Sequence, residues 1–431
     1  MGVANVAQVQ AMFLERVLPD MPTLWGVEDA FCTWIQPGKS GAGIEIQKVS
    51  DRAMRIVFKA GRGGVSGQVD LNGGSFFRGT GTLFKQFTVT TVGFQHAREM
   101  TTKAIEACKG DQKALERLSR HEIAQAMIEM KAAKDRRLQV DASQVLAILN
   151  TVVNAPTYSV KGGATGQAGN PWGAQLLEDN GLYDVWDTGL AVLRQAGAAV
   201  VQDAGVDYPG QNVTFTQAIP GAVIGDKIVT AGSGQAGFAG LPTFVNDSAT
   251  GFLQGQPRNL PYCQVRSVDA GGAALSLDFI RQSLNLIKIR KPGASMKTLT
   301  PYIAPQQEHA YEQLAFAVTE IIKGGPEDDT DLLFNNLRMA GRKAMCETNA
   351  DPTKLQWLQR GKFGWAQMKS IGFHQPMGEG SDIMWPIVGA NGAPIAQVWF
   401  ALTEQSQLYC TDVTEMGIVK NLAVIAGYVG A

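Results

Sequence analysis

MRIVFKA (residues 54–60) and LFKQFTVTTV (residues 83–92) are two runs of β-branched and aromatic residues, and their relation decides the fold. Between them lies a stretch dense in glycine: Gly61, Gly63, Gly64, Gly67, Gly73, Gly74, Gly79 and Gly81. Glycine loses the most conformational freedom on ordering, so this stretch reads as a long flexible tip between two strands. A further β-type run, IEIQKV (44–49), precedes them across a polar break at Ser50, Asp51 and Arg52. A two-stranded ribbon alone is marginal in water, and one this long exposes unpaired edges that invite association. The hairpin therefore lies either on its own domain or on another subunit.

Upstream, residues 5–18 carry Val6, Val9, Phe13 and Val17 at helical spacing, and Pro19 ends the pattern. Pro22 and Pro37 follow with Trp25 and Trp34 between them, which reads as an extended arm whose aromatics need an outside surface to pack against. Downstream, no Gly or Pro interrupts Gln112 to about Val140, and Leu115, Leu118, Ile123, Met127, Met130 and Leu138 form an apolar stripe. Such a helix spans roughly 40 Å. DASQVLAIL (141–149) re-enters the body, and residues 154–175 read as a glycine-rich connection. From 176 to 275, short β-type runs alternate with turns: AAVVQDA, NVTFTQA, GDKIVTA, LPTFVN and YCQVRSV. Residues 276–289 are predicted as a helix closed by Pro292, and 306–323 and 331–347 as two more. IMWPIVG, PIAQVWFALT, LYCTDV and NLAVIAGY return to strands.

The chain has 431 residues, is 45% hydrophobic and only 18% charged, and carries a formal net charge of −1. Near-neutrality argues against a dedicated nucleic-acid binder, and sparse charge points to surface covered by neighbouring subunits. Lys134, Arg136 and Arg137, beside Glu129 and Asp135, read as a solvated helix face, as do His121 and Glu122. Cys32, Cys108, Cys263, Cys346 and Cys410 are scattered without a CxxC pair, as expected of reduced thiols in a cytosolic protein. The first twenty residues lack a signal-peptide pattern, and no apolar run is long enough to span a bilayer. Gly232, Gly234 and Gly237 satisfy GxGxxG after a strand-like run, but Gly240 and Pro242 follow where a dinucleotide site needs a helix, so a loop between strands is expected. Gly38-Lys39-Ser40 ends like a phosphate loop, yet Thr33 stands where the first glycine must be. Four histidines form no ligand pair, and the acidic run Glu327, Asp328, Asp329, Asp331 reads as charge at a helix start. No catalytic residue, cofactor or metal is assigned.

The order of these parts resembles the Hong Kong 97-type capsid fold of tailed-bacteriophage major capsid proteins. GGSFFRGTGTLFKQFTVTTVGF (73–94) is similar to the returning strand of that family's extended E-loop, and AQAMIEMKAAKDRRLQVDASQVLAIL (124–149) to its spine helix. LLEDNGLYDVWDTGLAVLRQAGAAV (176–200), GDKIVTAG (225–232) and LPTFVNDSATGFLQG (241–255) resemble a β-subdomain that some members insert into the axial domain. The resemblance implies an α+β fold with an N-terminal arm (1–42), an E-loop hairpin (43–94), a peripheral domain with the spine helix (95–153), an axial domain (154–360) with a β-rich insert (176–275), and return strands (361–431). It implies a shell protein rather than an enzyme, self-associating as hexamers and pentamers around packaged double-stranded DNA held by nonspecific contact, in a virion capsid assembled in the bacterial host cytoplasm. Scaffold, portal and decoration proteins are further expected partners, with any scaffold a separate protein because only about forty residues precede the hairpin; no membrane is involved. The expected inter-subunit contacts are Trp25 and Trp34 on the arm and Lys59, Gly61, Arg62, Gly63, Gly64, Gly73, Gly74, Phe76, Phe77, Arg78, Gly79 and Gly81 on the hairpin. An encapsulin-type compartment shell keeps the same fold with a different cargo. An α/β enzyme using the 232–237 loop for a ligand is the alternative from another class.

Overall fold

The structure is a computed structural model that describes residues 31, 34–35, 46–50, 53–59, 81, 84–101, 112–163, 173–233, 237–291, 296–319, 338–375, 385–388 and 394–424. The expected helix over 5–18, Trp25, the hairpin tip and the acidic run at 327–331 lie outside these residues.

Strands β1 (Ile46–Lys48), β2 (Ala53–Lys59) and β3 (Phe84–Thr90) form an antiparallel sheet in that order, with β2 and β3 in register from Ala53–Thr90 to Lys59–Phe84. β4 (Val92–Thr101) follows at once, then helix α1 (Gln112–Leu138). The inward side of α1 carries Ile123, Ala126, Met127, Met130 and Leu138, all buried, at the three-and-four spacing of an amphipathic helix. Arg136 and Arg137 occupy its last turn, where cations suit the helix dipole.

Seven strands then make one antiparallel sheet: β5 (Val145–Asn154), β6 (Thr157–Gly162), β7 (Leu182–Trp186), β8 (Leu193–Ala199), β9 (Val206–Asp207), β10 (Asn212–Thr214) and β11 (Lys227–Thr230). Their order is β8-β7-β11-β5-β6-β10-β9. β6 falls within the stretch expected to be a connection, where the alternation of Tyr158, Val160 and Gly162 inward makes it a central strand. The sheet has its own core around Tyr158, Val185, Val213, Phe215 and Ile228.

LPTFVN, expected as a strand, instead starts with the single-turn helix α2 (Leu241–Phe244), because Pro242 fits a first helical turn and cannot donate to a sheet. A ribbon of β12 (Phe252–Leu253) and β13 (Gln256–Pro257) follows. β14 (Arg266–Asp269) leads to α3 (Leu277–Arg290), whose cap is Ser276, its hydroxyl accepting from the Phe279 N–H at 3.3 Å. β15 (Leu299–Ile303) and α4 (Pro305–Thr319) come next. The helix expected over 331–347 is replaced, in its described part, by β16 (Arg338–Met339), β17 (Arg342–Lys343) and β18 (Met345–Cys346). Ala340 and Gly341 both take positive φ there and turn the chain back on itself.

β19 (Leu355–Gln359), β20 (Phe363–Phe373), β21 (Trp385–Val388), β22 (Pro394–Cys410) and β23 (Gly417–Lys420) complete the chain. NLAVIAGY was expected as a strand, but its described residues, 421–424, are irregular and β23 lies just before them. β14, β23, β19, β15 and β18 form a mixed sheet covered by α3, with Ile287, Ile303, Leu355, Trp357 and Val419 between. β22 is the centre of a further sheet. β4 runs along one of its edges, and β20 and β21 share the other. A third core joins these parts, holding Phe31, Ile56, Phe87, Leu138, Phe244, Phe363, Trp365 and Tyr409.

Candidate functional site

The root of the hairpin shows where it leaves the body. Met54 and Ile56 of β2 and Phe87 and Val89 of β3 are buried in the shared core, while Gln86, Thr88 and Thr90 face outward. Two residues earlier the alternation stops: Lys85 is exposed although it shares a face with Phe87, and Phe84 is 61% exposed. β2 and β3 remain paired through Lys59 and Phe84 at this point. The paired strands thus run past the edge of their own core, carrying an aromatic ring into solvent. On its other edge β3 meets the β12–β13 ribbon: the Thr88 N–H donates to the Gln254 carbonyl (3.3 Å), and Gln256 Nε2 donates to the Gln86 carbonyl (3.1 Å).

Of the expected contact residues, Lys59 closes β2 opposite Phe84, and Gly81 is exposed, with open space where a Cβ would stand. Trp34 packs on its own chain, 6.0 Å from Phe31 and 6.2 Å from Phe363 between ring centres, and its carbonyl accepts from Arg360 Nε at 2.9 Å. Trp25, Gly61, Arg62, Gly63, Gly64, Gly73, Gly74, Phe76, Phe77, Arg78 and Gly79 lie outside the described residues. Sequence reading passed over Phe84 and the 252–257 ribbon. The Gln254-Gly255 pair between short apolar runs was the available signal for the ribbon.

The seam between α1 and the β22 sheet overturns one expectation. Lys134 does not lie on a solvated face: its side chain and that of Glu404 on β22 are 4% and 3% exposed. Lys134 Nζ reaches both Glu404 oxygens (2.9 and 3.0 Å) and stands 4.0 Å above the centre of the Trp365 ring. Asp135 is buried and accepts from Asn349. Arg137 lies over Phe94, and burial pulls its guanidinium down to about 10. Arg136 pairs with Glu178 beside the seven-stranded sheet. Nearer the start of the helix, Arg98 of β4 bridges Glu122 (2.8 Å) and Glu129 (2.9 Å), and His96 joins Glu129 at 3.0 Å. His121 is exposed, as read.

Of the 232–237 glycines, Gly232 takes a positive φ and Gly237 allows a close approach. The Gly232 N–H donates to Asp184 at 2.9 Å, and the described residues on either side, 231–233 and 237–240, are turn or irregular. A Cβ on Gly237 would strike the Ala142 carbonyl, and one on Gly240 would meet the carbonyls of Arg137, Leu138 and Val140, so the loop is pressed against the end of α1. Cys263, Cys346 and Cys410 are free thiols, and burial pushes Cys263 up to about 11 and Cys410 higher still, which makes them poor nucleophiles. A half-open groove of about 510 Å³ beside α2 holds Lys420 paired with Asp247 at 2.6 Å. Burial raises the Asp247 carboxyl, but the hydrogen bonds from Lys420 and Ser267 outweigh it and hold it below the usual range. Among the described residues, no group of three His, Cys, Asp or Glu side chains is arranged to hold a metal, and no helix is long and apolar enough to cross a membrane.

No protein-family profile matches the chain. No curated protein matches it either. Among solved structures it is similar to a chain of the cyanophage A-1(L) capsid asymmetric unit, with 11% identity over 91% of this chain and 93% of that one and a TM-score of 0.47. It is similar to the capsid of a native GTA particle, with 8% identity over 92% and 100% of the two chains and a TM-score of 0.41. It is also similar to a virus-like particle from Pyrococcus furiosus, with 7% identity over 96% and 98% and a TM-score of 0.36.

Proposed function

We propose that this chain is the major capsid protein of a tailed bacteriophage, a structural subunit that self-assembles into an icosahedral shell around packaged double-stranded DNA. The carrying observation is the β2–β3 ribbon, which stays paired beyond its own core and ends on an exposed Phe84. A ribbon in that position gains stability only from another surface. A neighbouring subunit supplies one, and repeated arm contacts add through multivalency. In this reading the chain divides as the resemblance implies, into arm, hairpin, peripheral domain, axial domain with insert, and return strands, and the hairpin tip and Trp25 lie at subunit contacts. DNA on the inner face is held by salt-sensitive, nonspecific contact. Portal, scaffold and decoration proteins are the further partners, and assembly takes place in the host cytoplasm.

The test is electron microscopy with light scattering on the chain expressed alone. Closed shells, tubes or rings of five or six subunits support the proposal; a monomer or dimer that persists at high concentration sinks it. Phe84→Asp should block particle formation while leaving the thermal unfolding of the subunit within about 0.5 kcal/mol of the parent, as for a surface change.

A further inference from the structure

The β12–β13 ribbon turns on Gln254 and Gly255, with φ of +49° and +83°. Two positive φ values in a two-residue turn favour Asn, Asp or Gly at the first position. Glutamine there is an outlier, and such outliers point to a use for the side chain. Gln254 Nε2 donates to the Cys410 carbonyl at 2.6 Å, and the Cys410 N–H donates to Gln254 Oε1 at 3.3 Å. The same residue's main-chain carbonyl takes the Thr88 N–H of β3. Cys410 is the buried last residue of β22 and pairs on its other side with Phe363 of β20. Leu253, next to Gln254, is fully buried in the shared core, so the turn cannot slide. One glutamine therefore ties the hairpin strand to the central sheet by its backbone on one side and its side chain on the other.

We propose that Gln254 is a positioning residue that fixes the direction in which β2 and β3 leave the body. Its consequence for particles rests on the assembly reading above: a loosened joint lets the arm point several ways and spreads the curvature at which subunits meet.

The experiment uses the full chain with Gln254→Gly and Gln254→Glu. Glycine favours the left-handed turn and removes only the side chain, so it separates the joint from the turn. Glutamate keeps the acceptor and loses the donor to Cys410. Amide hydrogen exchange on unassembled subunits should show strand Phe84–Thr90 exchanging roughly tenfold faster in Gln254→Gly, as expected for two lost hydrogen bonds in a local opening. Gln254→Glu sets a second oxygen against the Cys410 carbonyl and should exchange at least as fast as Gln254→Gly, and the buried strand Leu355–Gln359 should not change. Particles of Gln254→Gly should spread in diameter by electron microscopy. Unchanged exchange in Phe84–Thr90 overturns the joint, and faster exchange with parent-like diameters overturns its role in direction. If the parent chain forms no particles, the assembly reading fails and the effect on curvature falls with it, while the exchange rates still decide whether Gln254 holds β3.

Discussion

Replacing Lys134 by methionine probes the seam between helix and sheet most directly. Methionine keeps an apolar stem over Trp365 and removes the charge that faces Glu404. Both partners are almost fully buried, so the change leaves a carboxylate in the interior without its ammonium. Breaking a buried pair in this way costs about 3–5 kcal/mol. Glu404→Gln retains an amide oxygen for Lys134, and a cost of about 2 kcal/mol is expected. Lys134→Met combined with Glu404→Leu removes both charges, which is often nearly neutral for a buried pair and should recover most of the loss, within ~1 kcal/mol of the parent. The measurement is urea unfolding of unassembled subunits followed by tryptophan fluorescence, arranged as a double-mutant cycle. Because the pair is buried, the coupling should survive added salt. Single variants within ~0.5 kcal/mol of the parent and a strictly additive double variant would refute the reasoning, since that is how a solvated pair behaves.

Gly240→Ala should destabilise the subunit by about 2 kcal/mol or more, because a Cβ there lies 2.5 Å from the Leu138 carbonyl and the obstacle is backbone; thermal melting checks this. Trp357→Phe removes the 2.8 Å bond from the indole N–H to Ser283 and leaves a small void under α3, for a loss of roughly 2 kcal/mol by urea unfolding. Lys291 pairs with Asp412 and Glu415. Burial pushes the Asp412 carboxyl up, but hydrogen bonds from Lys291 and Thr414 outweigh it and hold it below its ordinary 3.8. Burial likewise lowers Lys291, and the two carboxylates outweigh it and hold it above 10.5. The stabilisation is present between these values, is lost as pH falls through the depressed carboxyl below 3.8, and is lost as pH rises through the raised ammonium above 10.5. Unfolding midpoints of Lys291→Met and the parent should therefore differ in the middle range and converge at both extremes.

What the sequence reveals follows the range of the interaction. β2, β3 and α1 are legible because alternation and an unbroken helical stripe are local signals. Leu355–Gln359 is not, because all five residues are buried and no polar face marks the strand, even with glutamines at 356 and 359. The stretch 338–346 contains good helix formers, and the turn at Ala340-Gly341 together with pairing of Met345 to Tyr302 overrides them. Lys134 reads as solvated because its acid partner lies 270 residues away, beyond any local window. The hairpin is the part of the candidate site that sequence locates. Its anchoring by Gln254 depends on contacts with Thr88 and Cys410 that no spacing encodes.

The place of β4 beside β22 has a consequence for how the chain is made. Gln397 pairs with Thr101 and Ser406 with Val92, so the two strands are joined only after some 300 further residues have been synthesised. Until then, β4 lacks its sheet partner and Lys134 of α1 lacks Glu404, and such long-range closure is slow and leaves apolar surface open. A chain cut short on the ribosome lacks the support that aims its arm. If the chain assembles as proposed, the same pairing makes the support under the hairpin depend on translation through β22.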